Sequence, residues 1–120
     1  MIVIRKDQQE QLAALGRIQF FDKLEIHIEK FFPDHAINLD KEQRIALFEY
    51  GLERGKKYDF ISERNVCLFI DLMLAFGLEF DISPDHGWAK KILADSGQNH
   101  PNVKMDALHE AGMNSLKQQF

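Results

Sequence analysis

Ser62-Glu63-Arg64-Asn65-Val66-Cys67-Leu68-Phe69-Ile70-Asp71-Leu72-Met73-Leu74-Ala75-Phe76-Gly77 decides the fold class of this 120-residue chain. The stretch carries a helix start at Ser62, a helix stop at Gly77 and almost no polar face between them. A surface helix keeps a wide polar stripe, whereas one that is apolar nearly all round must be enclosed by protein or lipid. The apolar part, Val66 to Phe76, contains Asp71 and falls well short of the roughly 20 residues that cross a bilayer. It reads as the central helix, over about 63–76, of an all-α protein: a compact bundle of about five helices around a buried core helix.

Upstream, Lys6 to about Phe32 reads as one long helix after a short apolar start, Met1 to Arg5, that suits an extended segment. Leu12, Leu15, Ile18, Phe21, Leu24, Ile28 and Phe31 recur at spacings of three and four and form its expected buried stripe. Phe20, Ile26 and Phe32 fall off that stripe and are the expected contact residues for a protein partner. Phe32-Pro33 ends the helix, because the residue before a proline is pushed out of helical conformation. Asp40 and Gln43 then form a capping-box pattern, Ile45, Phe48 and Leu52 supply an inward stripe, and Gly55 suits a stop.

Downstream, Leu78 to Ser83 reads as a loop and about Pro84 to Ala94 as a short helix that packs Trp88, Ile92 and Leu93 inward. Asp81 or Ser83 is the expected cap. Asp95 to Asn99 is a polar break, and Pro101 opens a last helix with Met105, Leu108, Gly112 and Leu116 on its stripe. There is no linker, repeat or low-complexity stretch, so residues 1–120 read as a single helical domain.

Composition narrows the function. Hydrophobic residues make up 45% of the chain and include ten Phe, enough for one core, while the net charge of -4 lacks the basic excess of a nucleic-acid footprint. The amino terminus turns charged too soon for a signal peptide, so a cytoplasmic protein with no membrane contact is expected. The single cysteine, Cys67, lies in the apolar run and reads as a small hydrophobe rather than a nucleophile.

No constellation of residues announces catalysis. Asp81, Ser83 and Asp85 imitate the start of a calcium loop, yet the sixth and twelfth positions hold His86 and Ile92 where an EF-hand needs Gly and Glu. His27, His35, His86, His100 and His109 lack paired zinc spacing. Asp71 breaks an apolar pattern and is expected to be a structural charge, paired with Arg64 or Arg44. Phosphate loops and nucleophile elbows are absent, so no enzyme, metal or cofactor is expected.

Several segments are distinctive in combination: Met1-Ile2-Val3-Ile4-Arg5, His27-Ile28-Glu29-Lys30-Phe31-Phe32-Pro33, Tyr50-Gly51-Leu52-Glu53-Arg54 and Glu63 to Met73. Phe76-Gly77-Leu78-Glu79-Phe80-Asp81 and Trp88-Ala89-Lys90-Lys91-Ile92-Leu93 complete the set. Together the chain resembles a family of small helical proteins of Gram-negative bacteria, commonly encoded beside PAAR spike-tip proteins and effectors of type VI secretion systems. The loop Ser83-Pro84-Asp85-His86-Gly87 departs from the family pattern, which often has a further Pro before the Trp. The resemblance brings no catalytic residues. It implies a protein-binding accessory, a chaperone or adaptor for an effector or PAAR tip; the alternative is a cytoplasmic immunity protein against a co-encoded toxin.

Overall fold

The computed structural model describes residues 6–94 and 100–118, with side chains from residue 16 to 94 and 100 to 117. The Met1 to Arg5 segment, the Leu12 and Leu15 side chains and the Asp95 to Asn99 break lie outside the described residues. The chain is all-α, with no strand among the described residues: α1 (Lys6–Phe31), α2 (Pro33–Ile37), α3 (Lys41–Lys56), α4 (Glu63–Phe76), a 3-10 turn (Pro84–His86), α5 (Gly87–Ala94) and α6 (Pro101–Gln118). It divides into two compact units, Met1–Ile45 and Ala46–Phe120, the division falling within α3. None of the described helices is long and apolar enough to cross a membrane.

In the N-terminal unit, Phe32 N–H donates to Ile28 O at 2.8 Å and closes α1. Pro33 then opens the short helix α2, which the sequence reading passed over. A proline that blocks one helix is well suited to the first turn of the next, where its missing N–H is unpaired anyway. Arg44 ties this unit together. Its guanidinium donates to the Ala36 carbonyl at 2.6 Å, the Leu39 carbonyl at 3.1 Å and Glu29 Oε1 at 2.8 Å.

The buried ridge of α1 differs from the expected stripe. Phe20, Leu24 and Ile28, spaced by four, are buried, whereas Ile18 and Phe31 are exposed. Apolar residues occur around much of this helix, so periodicity alone could not choose between two adjacent ridges.

The local signals at Asp40, Ser62 and Gly77 hold, whereas Gly55, the expected stop of α3, lies inside that helix, which runs on to Lys56. Asp40 N–H donates to Gln43 Oε1 at 2.9 Å and Gln43 N–H to Asp40 Oδ1 at 2.8 Å, the reciprocal box that starts α3. Ser62 Oγ accepts from Asn65 N–H at 3.1 Å at the start of α4. Gly77 ends α4 with a φ of 111° that a side chain would strain. Val66, Phe69, Ile70, Leu72 and Met73 are buried along α4. The last helix, α6, packs on both α4 and α5 through Met105, Leu108 and Gly112.

Helices α3 and α4 meet closely at Gly51, where a Cβ would lie 2.5 Å from Ile70 Cγ1 and 3.0 Å from Ile70 Cδ1. Alanine there improves helix propensity by about 1 kcal/mol, but overpacking of this kind costs about 1–3 kcal/mol. The Cγ1 atom sits near the Ile70 backbone and has little room to swing, so the steric cost wins. Gly51→Ala is expected to lower unfolding free energy by about 1 kcal/mol in urea titration.

Candidate functional site

The C-terminal unit buries a carboxylate in a loop. Asp81 is 2% exposed, and its Oδ2 accepts from the Arg54 guanidinium and from Tyr58 Oη, the latter at 2.6 Å. Arg54 comes from the last turn of α3 and Tyr58 from the turn that follows, so one carboxylate fastens the end of α3 to the segment after α4. Arg54 also lies over the Tyr50 ring, 5.6 Å from its centroid. Arg54 Nε, Asp81 Oδ1 and Trp88 Nε1 are buried without a hydrogen-bond partner among the described residues.

Electrostatics and burial act together on this cluster. Burial alone would lower the Arg54 pKa; the Asp81 hydrogen bond and charge, with Tyr50 and Tyr58, outweigh it and leave the guanidinium held more firmly protonated. Burial first, then the hydrogen bond and charge of Asp81, push the Tyr58 phenol up to about 12. An aromatic chain surrounds the cluster. Phe60 and Phe69 have centroids 5.9 Å apart, Phe69 and Phe80 5.2 Å, and Phe76 and Trp88 5.1 Å, all in tilted or edge-on geometries that such rings favour.

The other polar positions singled out in the sequence separate. Arg64 donates to Asp106 and to Asn65 Oδ1, the latter at 2.9 Å, and Arg44 donates to Glu29. Buried Asn65 continues that array by donating to Asn102 Oδ1 at 2.8 Å, bridging α4 to α6. Asp71 is half-buried on α4 and adds to the burial that pushes the Cys67 thiol up to about 11. Ser83 provides the expected cap, accepting from Asp85 N–H at 3.2 Å, whereas Asp81 is taken by Arg54 and Tyr58. His86 Nε2 lies 3.2 Å from Phe76 O, and Trp88 is half-buried against Phe76 and Phe80.

An open groove of about 440 Å³ between α4 and α6 is lined by Arg64, Cys67, Leu68, Asp106, His109 and Glu110. Cys67 forms part of its wall, but a thiol with so high a pKa is a poor nucleophile at neutral pH. A catalytic cleft would have to gather acids and bases such as Asp71, Asp81, Asp85 and His86. Neither this groove nor the one beside the Gly77 turn is lined by any of them.

The three expected partner contacts do not share one environment. Phe20 is 6% exposed and belongs to the buried ridge of α1, which corrects its expected place on a contact surface. Ile26 is 67% exposed, and Phe32 is half-buried beside His35, with ring centroids 5.7 Å apart. Ile18, two turns before Ile26, is exposed to a similar degree and went unnoticed because it counted toward the stripe. Comparison with protein-family models, curated proteins and solved structures returned no match.

Neutral Tyr58 is favoured by the folded chain, so the stability it contributes is complete below its ordinary pKa of 10.0 and is lost as pH rises toward about 12. Tyr58→Phe is expected to flatten that alkaline fall in denaturant unfolding, while Asp81→Ala, which strands Arg54, costs about 3 kcal/mol or more at neutral pH. Alkylation of native Cys67 by iodoacetamide should accelerate through a pH of about 11 rather than the ordinary 9.0. A rate that levels off near the ordinary value would show an open thiol.

Proposed function

We propose that the chain is a non-catalytic, cytoplasmic protein-binding accessory, a chaperone or adaptor for a type VI secretion effector or PAAR-type tip protein. The secretion context rests on the family resemblance of its segments. The observation that carries the binding role is large aliphatic surface left in solvent on a regular helix: Ile18 and Ile26 on α1 are both more than half exposed. Single exposed apolar residues need no explanation, but a pair two turns apart on one helix forms a stripe suited to another protein. Phe20 anchors the same helix from its buried ridge and serves the contact by positioning it.

The test is a pull-down of tagged protein from host cells making the secretion apparatus, read by mass spectrometry. Recovery of a co-encoded effector or PAAR-type protein is expected, falling about tenfold for the double variant Ile18→Ser, Ile26→Ser, as loss of an apolar anchor pair implies. Equal recovery by the variant would remove α1 from the contact, and recovery of no such protein would overturn the reading. Rescue of cells expressing the co-encoded toxin would replace the accessory role with immunity.

A further inference from the structure

The turn that follows α4 is built with more restraint than a connector needs. Phe80 N–H donates to Gly77 O at 3.1 Å, Ile82 and Ser83 N–H both donate to Glu79 O at 3.1 Å, and His86 N–H donates to Ser83 O at 3.2 Å. Phe80 and Asp81 point inward and are fixed by the aromatic chain and by the Arg54–Tyr58 clasp. The residues on either side of that buried pair point out. Leu78 is 50% exposed and Ile82 is 52% exposed.

A groove of about 390 Å³ lies along the same turn, lined by Phe76, Gly77, Glu79, Phe80, Ile82, Ser83 and Pro84. Its wall combines apolar surface from Phe76, Ile82 and Pro84 with polar surface from Glu79 and Ser83, and the charged side chain in it is Glu79. Asp85, exposed at the far end, adds a second carboxylate, while Gly77 to Asp85 contains no Lys, Arg or His. Asp81 is neutralised from within by Arg54, so the outward charge of this turn is acidic.

We propose that the Leu78 to Asp85 turn is a preorganised docking surface for a protein segment that presents apolar side chains next to lysine or arginine. The apolar groups seat against Leu78, Ile82 and the Phe76 side of the groove, and the cations meet Glu79 and Asp85. Fixing the turn before binding removes an ordering cost that a mobile loop would meet on association. Charge complementarity selects the partner: two free carboxylates oppose an acidic segment and an anionic bilayer, and favour a basic one. Asp81 is a positioning residue, acting through the turn it holds rather than by contact. The proposal rests on the protein-binding reading and adds the chemistry of the partner.

The test is an amide NMR titration of the full chain with two synthetic amphipathic helices, one of leucine and lysine and one of leucine and glutamate. The leucine–lysine helix is expected to shift amides of Gly77 to Asp85, and the leucine–glutamate helix to leave them unmoved. Glu79→Gln with Asp85→Asn should weaken the first by about tenfold, within the range for close charge pairs. Leu78→Ser with Ile82→Ser should abolish the shifts, in a protein whose thermal unfolding changes little because about half of each side chain is already exposed. Asp81→Asn should broaden the turn's amides and weaken binding while leaving those of α6 in place.

Equal binding of both peptides, shifts confined to other helices, or sedimentation of the protein with anionic vesicles would each overturn the proposal. A failed pull-down with a selective titration would reject the secretion partner and keep the surface. A successful pull-down unaffected by Leu78→Ser with Ile82→Ser would do the reverse.

Discussion

A carboxylate without access to solvent sets the terms for the C-terminal unit. Burying Asp81 alone would be prohibitively unfavourable, so every fold that buries it must also deliver a cation and donors to the same point. Arg54 and Tyr58 do so from a stretch more than twenty residues upstream. Such a pair adds little net stability over a well-packed apolar substitute, because desolvation offsets most of the attraction. Its effect is on geometry. With Arg54 and Asp81 joined, the end of α3 and the turn after α4 have one way to meet, and Phe80 is carried into contact with Phe69.

That contact extends the core beyond α4. A helix apolar nearly all round needs neighbours on most sides, and the short elements of this chain could not each supply a broad apolar face. Phe60 before α4, Phe80 after it and Trp88 on α5 fill the gap with large rings supplied from loops and helix ends. The small residue Gly51 lets α3 approach closely where no ring is available. Large loop rings and a small helix residue are two answers to the same requirement of filling space at native density.

The same physics explains what could be read from the sequence. Helix termini were legible at Asp40–Gln43, Ser62, Gly77, Ser83 and Pro101, because capping is settled within three or four residues. The buried ridge of α1 was not, since Phe20, Leu24 and Ile28 compete with a second apolar ridge one position round, and tertiary packing decides between them. The Pro33 helix was hidden because one proline both ends and begins a helix. The important acid was also hard to find. Asp71 stood out because it interrupts a helical period, whereas Asp81 lies in a turn, where there is no period to interrupt, and its partners lie beyond the reach of any local pattern.

Rigidity in that turn has a consequence for how apolar surface can be displayed. Along Leu78 to Ile82 a buried pair, Phe80 and Asp81, is flanked by exposed residues, so the side chains holding the turn and the side chains facing outward belong to one short segment. Displacing an outer residue leaves the anchors untouched, but releasing an anchor changes the placement of both outer residues at once. An exposed leucine on a mobile loop collapses onto whatever apolar surface is nearest. Leu78, two residues before the buried Phe80 and three before the Asp81 clasp, is tethered to a turn that cannot move without unburying that carboxylate, and half of its surface stays in solvent.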